Sequence, residues 1–132
     1  MECKIILTGI LKYNDKYLIV KRSDNDDFMP GAWEFPGGNL ENNELIEEAL
    51  KRELKEEIGF NLLNNTCKII NYTDEIKEKN NKIIHVIELD FLIECDNDSF
   101  DIVLSNEHTD YKWVEKDSEL MDDFIKSKLK NI

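Results

Sequence analysis

The chain has 132 residues, enough for one domain with a real core and too few for two. Its 17 basic and 29 acidic side chains give a formal net charge of −12, which excludes the basic surface that nucleic acid polymers and anionic membranes reward. A phosphate-bearing small molecule stays open, because grouped carboxylates hold Mg²⁺ and the ion bridges to phosphate oxygens.

The first residues, "MECKIILTGILKY", lack the basic, apolar and small-residue order of a signal peptide, and no apolar run approaches the roughly 20 residues of a membrane span. A cytoplasmic protein is expected. "CKIILTGILKY" and "KYLIVKR" are β-rich runs around "NDK", a hairpin signal. Residues 23–32, "SDNDDFMPGA", form a polar turn-rich loop, and Trp33 to Pro36 is a short extended piece. A helix is predicted from about Asn43 to Ile58, with Asn42 or Asn43 as its cap and Gly59 as its stop. "TCKIINYTDEIK" and "KIIHVIELDFLIEC" read as strands joined at "EKNN", followed by the mixed loop "DNDSFDIVLSNEHTD" and the short strand "YKWVE". In "SELMDDFIKSKLKNI", Leu120, Phe124 and Leu129 near helical spacing predict a C-terminal amphipathic helix with a basic end. The order is strands, helix, strands, helix, which implies an α+β fold or mixed-sheet sandwich over a regular βαβ array. Cys3, Cys67 and Cys95 are isolated and odd in number, so neither a disulfide framework nor a zinc site is expected, and buried thiols are.

On the predicted helix, Leu45, Ile46, Ala49 and Leu50 mark an apolar direction at about 100° per residue. Glu47, Glu48, Lys51, Arg52 and Lys55 fall opposite, with Glu48 and Arg52 at i,i+4 pairing distance. Glu53, Glu56 and Glu57 share the sector of Ile46 and Ala49 instead, so the apolar stripe turns into carboxylates. Three half-buried anions are costly without a cation. Either this is an acidic helix with an imperfect apolar face, or the oxygens at i, i+3 and i+4 hold Mg²⁺ or Mn²⁺ beside a phosphate.

Gly38, five residues, Glu44, seven residues and then "RELKEEIGF" from Arg52 to Phe60 match the Nudix box G-x5-E-x7-R-E-U-x-E-E-x-G-U at every fixed position. With "YLIVKRS" and "GAWEFPGG" before it, the chain resembles MutT-like members of the Nudix superfamily. The resemblance implies one Nudix domain over residues 1–132, an α/β/α sandwich around a mixed sheet, and metal-dependent hydrolysis of a nucleoside diphosphate linked to another group. It implies Glu53, Glu56 and Glu57 as the main metal ligands and the Gly37 carbonyl as another. Arg52 and Glu44 would orient those glutamates and brace the loop–helix–loop. In purely structural terms, Arg52 is also readable as a surface ion pair. The proton acceptor would be Glu53 or Glu107, the latter standing six residues before Trp113 where MutT-like proteins place a metal-binding or base glutamate; an ordinary loop carboxylate is the alternative. Arg22 is placed to contact substrate phosphate, and Trp33 and Phe28 to stack on a base, with core packing or loop anchoring as their plainer roles. Of the two histidines, His85 is read as a packed or edge residue, and His108 lies beside Glu107.

Absences narrow the substrate. The proline of the ADP-ribose pyrophosphatases and the signature of the NADH pyrophosphatases lack a match, and Tyr72 stands somewhat early for the tyrosine of the diadenosine polyphosphate hydrolases. A nucleoside triphosphate pyrophosphohydrolase is expected, acting on a small-molecule nucleotide with Mg²⁺, or Mn²⁺ in its place. An ADP-ribose or nucleotide-sugar pyrophosphatase, or a non-catalytic nucleotide sensor, is the alternative. No asparagine between Val114 and Lys130 matches the one with which MutT reads an oxidised guanine.

Overall fold

Two asparagine-containing pairs set the two long hairpins of the fold. Asn14 and Asp15 both have positive φ (52° and 62°), as do Asn80 and Asn81 (54° and 62°), the backbone that a two-residue hairpin turn with the strands' own twist requires. The first pair joins β1 (Glu2–Tyr13) to β2 (Lys16–Arg22), and the second joins β5 (Cys67–Lys79) to β6 (Lys82–Glu94). Three short strands, β3 (Trp33–Glu34), β4 (Gly37–Asn39) and β7 (His108–Val114), and two helices, α1 (Ile46–Ile58) and α2 (Asp123–Ser127), complete the elements of this computed structural model, which describes residues 2–63, 67–96 and 101–132.

The seven strands form one mixed sheet. β1 runs parallel to β6 along its whole length, from Glu2 opposite Ile84 to Lys12 opposite Glu94. Its other edge is shared: the C-terminal end pairs with β2, while Ile6, Leu7 and Thr8 pair with Asn39, Gly38 and Gly37 of β4. β2 in turn carries β3 and β7, and β5 lies outermost against β6.

The central strands are covered on both faces, so they are near-continuous apolar runs. Leu7, Leu11, Leu18, Val20, Phe91 and Ile93 pack under α1 through Ala49, Leu50, Leu54 and Ile58. Ile10, Tyr17, Ile19, Phe35 and Leu92 pack on the opposite face against Met121, Ile125 and Leu129. That is the α/β/α sandwich expected from the sequence. Each fully buried aliphatic side chain contributes roughly 1.5–3 kcal/mol relative to its exposed state.

The helix boundaries need correction. α1 begins at Ile46, because Asn43 is left-handed (φ 64°) and cannot continue a right-handed helix. Neither Asn42 nor Asn43 caps it; Leu45 is the cap residue, and the Glu48 carboxylate reaches back to accept its N–H at 3.4 Å. Leu45 therefore stands 70% exposed rather than on the apolar face. Gly59 ends the helix as expected, left-handed at φ 71°, with its N–H on the Lys55 carbonyl and that of Phe60 on Leu54. The C-terminal helix is shorter and rotated. Asp122 caps it by accepting from the Ile125 N–H at 2.8 Å, and Met121, Ile125 and Leu129 are the buried positions while Phe124 is 52% exposed. Of the cysteines, Cys3 is exposed, whereas burial pushes the Cys67 and Cys95 thiols up to about 11. None of the helices described is long and apolar enough to cross a membrane.

Candidate active site

The three glutamates of the box do not act alike once α1 is seated. Glu57 is buried. Glu53 is largely covered, with 13% of its side chain exposed, and Glu56 faces outward at 60%. Leu54 packs on the sheet at Gly9, while Glu53 lies over Gly38 of β4 and Glu57 meets Ser105 and His108.

Gly37 and Gly38 make the first contact possible. β4 lies so close to β1 that a Cβ on Gly37 would fall onto the Leu7 carbonyl, and a Cβ on Gly38 would fall onto the Glu53 carboxylate. The carboxylate is therefore laid directly on the glycine backbone. Burial pushes its pKa up, against the opposing pull of Arg52.

Arg52 is the brace. Its Nε and one terminal nitrogen grip both oxygens of Glu44 at 2.7 and 3.0 Å, and the same terminal nitrogen donates to the Asn39 carbonyl at 3.0 Å. The other terminal nitrogen donates to Glu53 Oε1 at 2.9 Å and Glu56 Oε2 at 3.2 Å. One planar guanidinium thus ties the loop, the helix start and two box glutamates, which the point charge of a lysine does not do. The expected Glu48 partnership is replaced by this set, because the guanidinium turns toward β4. Glu44, held by Arg52, lies below the usual carboxylate range, and its other contact is the Glu41 N–H.

Glu57 is held from the opposite side. Ser105 donates its backbone N–H to the Glu57 carbonyl and its hydroxyl to Glu57 Oε2 at 3.2 Å. His108, with 2% of its side chain exposed, lies between two carboxylates: Nε2 is 2.9 Å from Glu34 Oε2 and Nδ1 is 2.9 Å from Glu57 Oε2. The Nδ1 contact is close but poorly aligned, so this buried nitrogen lacks a well-formed hydrogen bond. Burial by itself would lower the imidazole pKa; the contacts with Glu34 and Glu57 outweigh it and push it up to about 9. Glu107 is an exposed residue of the same cleft, and the charge of Glu57, then burial, pushes its pKa up.

Glu53, Glu56, Glu57 and Glu107 all line one cleft of about 890 Å³, together with Gly37. Among the described residues, no three His, Cys, Asp or Glu side chains close into a ligand set. Arg52 draws Glu53 and Glu56 one way, and Ser105 and His108 hold Glu57 the other. The donor chemistry nonetheless fits a hard divalent cation: these four carboxylates line one cleft, with Glu57 and Glu107 repelling each other.

The remaining sequence candidates fall on the neighbouring rim. Arg22 lines the cleft, but its guanidinium is engaged with Glu34 at 3.0 Å, Asp26 at 2.6 Å and the Phe28 carbonyl at 2.8 Å. Phe28 is 66% exposed with Arg22 over its ring, and Trp33 is half-buried beside the α2-side core with Lys112 over its ring. His85 pairs with Asp74 at 2.7 Å on the β5–β6 hairpin. Glu34, Ser105 and the bridging of His108 escaped the sequence reading. For Glu34 a signal existed, an anion between the aromatic Trp33 and Phe35; for Ser105 and His108 none did, since their contacts are across the fold.

The model of the NUDIX domain matches residues 6–130. The nucleoside triphosphatase NudI of Salmonella arizonae is 34% identical over 119 residues, covering 86% of this chain and 83% of that protein. Two solved structures share the architecture: a MutT NUDIX hydrolase from Burkholderia pseudomallei (TM-score 0.79, 20% identity, 100% of this chain and 99% of that one) and the dihydroneopterin triphosphate pyrophosphohydrolase of E. coli (TM-score 0.76, 19% identity, 98% and 95%). Those two likenesses carry the fold, while the domain match and the 34% relative carry membership. The chain belongs to the Nudix hydrolase family.

Proposed function

We propose that the protein hydrolyses a nucleoside triphosphate to the monophosphate and pyrophosphate with Mg²⁺, for which Mn²⁺ substitutes. The observation that supports this reading is the cleft that Glu53, Glu57, Glu107 and Gly37 line together, with Arg52 and Glu44 bracing Glu53. The triphosphatase named for the 34% relative supports the substrate class.

Glu53, Glu56, Glu57, Glu107 and the Gly37 carbonyl would hold the metal. When bound, a divalent ion neutralises phosphate oxygens and acidifies water. The chain's own part is to fix carboxylates before substrate arrives. Arg52 and Gly38 set Glu53, Ser105 and His108 set Glu57, and Arg22 holds residues 22–28 over the rim through Asp26 and Phe28. A water oxygen attacks phosphorus, the bond to the pyrophosphate oxygen breaks, and the water's proton passes to a carboxylate, Glu53 or Glu107. Phe28 and Trp33, each already under a cation, anchor the rim loop in this reading.

The test is a panel of NTPs, dNTPs, oxidised dNTPs, ADP-ribose and dinucleoside polyphosphates, incubated with Mg²⁺ or Mn²⁺ and resolved by product. Monophosphate plus pyrophosphate from a triphosphate is the expected result. Turnover of ADP-ribose alone overturns it. Comparison of Glu53→Gln with Glu107→Gln assigns the proton acceptor, as the variant retaining metal affinity but losing kcat.

A further inference from the structure

The same cleft extends from the box glutamates onto the sheet face that α2 covers, and there it meets a second set of charges. Gly37 of β4 pairs with Thr8 of β1, and Thr8 pairs with Asp90 of β6. At about 4.8 Å per strand spacing, β6 therefore lies roughly 10 Å from the glycines. Glu88 stands on β6, 22% exposed, and lines the cleft with Ile6, Val86 and Phe124. An adjoining hollow of about 260 Å³ shares Val86, Glu88 and Phe124.

Lys128 is the unusual residue. A lysine with 2% of its side chain exposed needs paired anions, and its ammonium donates to Asp90 Oδ1 at 2.8 Å and Glu88 Oε1 at 2.9 Å. Asp90 is fully buried, and its second oxygen accepts from Asn71 at 3.2 Å. Thr8 donates its hydroxyl to the same Glu88 Oε1 at 3.0 Å. Both lone-pair directions of Glu88 Oε1 are thus taken, while Oε2 has no partner among the described residues. The result is one fixed acceptor presented to the cleft. Beside it, Phe124 offers a half-exposed ring whose other neighbour is Lys128 Nζ at 4.8 Å from the centroid.

We propose that Glu88, fixed by Lys128 and Thr8, selects a nucleobase whose pyrimidine C4 or purine C6 carries an amino group, cytosine or adenine, over one with a carbonyl there, the base stacking on Phe124. This deepens the triphosphatase reading and rests on it. Two carboxylates against one ammonium repel phosphate, so the phosphates lie toward the box and the base toward β6. An amino group donates to Oε2, whereas the carbonyl of uracil, thymine or guanine at the same position faces it lone pair to lone pair. The ring N–H of uracil, thymine or guanine and the 2-amino group of guanine are displaced along the base edge from that position, so they meet Oε2 only in a different stacking pose.

Glu88→Gln makes the test sharp. Lys128 and Thr8 are donors and keep the amide oxygen on their side, so the NH₂ turns to the cleft and the acceptor becomes a donor. For the wild-type chain, kcat/KM for CTP over UTP, and for ATP over GTP, is expected at about tenfold or more, the scale of one hydrogen bond to a charged group. In Glu88→Gln both ratios fall to one or below. Equal use of CTP and UTP by the wild-type chain, or an unchanged ratio in a folded Glu88→Gln protein, overturns the proposal. Phe124→Ala, at an exposed position, is expected to raise KM for all four substrates with the ratios kept. If the wild-type chain hydrolyses none of the four, the triphosphatase reading falls, and titration calorimetry with CMP and UMP decides the base question. Tighter CMP binding that Glu88→Gln abolishes upholds it, and equal binding overturns it.

Discussion

At the level of single residues, Arg52 and His108 are cations in contact with the box glutamates. Arg52→Lys keeps the charge and loses the fork that reaches Glu44, Asn39, Glu53 and Glu56 together. Its expected effect is a 10–100-fold loss in activity or metal affinity, the range for partners that orient ligands, with little change in Tm; kinetics and Mg²⁺ titration measure it. His108 yields a pH prediction. Its folded pKa is about 9, above the ordinary 6.5. Its charged contacts therefore stabilise the fold fully below pH 6.5, and that contribution is lost as pH rises through about 9. In EDTA, Tm should fall between those limits, and His108→Gln should be less stable at pH 6 and show a flatter profile. A wild-type Tm that is constant or rises across this window contradicts the pairing. The sequence showed Arg52 through the box, whereas the partners of His108 are 74 and 51 residues away in the chain, at Glu34 and Glu57, where no local pattern reaches.

Among the elements, what local chemistry decides was legible, and what a partner surface decides was not. Asn14–Asp15, Asn80–Asn81 and Gly59 tolerate left-handed backbone, so both hairpin turns and the end of α1 follow from the residues themselves. Asn43 has the same tolerance, and there it misled: it turns the chain before the helix instead of capping it. In the C-terminal segment, Leu129 is buried as expected, but Leu120 and Phe124, spaced by four, yield to Met121 and Ile125 with the same spacing. Spacing alone favours neither set; the opposite sheet face, through Ile10, Ile19 and Leu92, buries the second. The basic end expected of this segment contains Lys128, which that same rotation carries onto Asp90 and Glu88. The cap is a direct check on this register. Asp122→Ala removes the acceptor of the Ile125 N–H and should cost about 1 kcal/mol by urea unfolding, with the m-value unchanged. A neutral substitution would place the start of α2 elsewhere.

Across the molecule, a net charge of −12 and a cleft lined by several carboxylates make stability depend on ions in two separable ways. General self-repulsion is screened by any salt, since the Debye length shrinks from about 10 Å at 0.1 M to about 3 Å at 1 M. Binding at the site is specific and follows mass action, adding about 2.7 kcal/mol when the free ion stands at 100 times its Kd. NaCl should therefore raise the Tm of the metal-free protein gradually. Mg²⁺ at matched ionic strength should raise it further, and saturably. Glu57→Gln removes a buried carboxylate that faces Glu107 and His108. In that variant the NaCl response should persist while the excess due to Mg²⁺ disappears. Equal shifts from Mg²⁺ and matched NaCl in the wild-type chain would mean that the glutamates are merely a screened acidic surface, the plainer of the two explanations their spacing allows. The two responses separate because screening sums over all 29 acidic side chains, whereas a bound ion feels only the few that line the cleft.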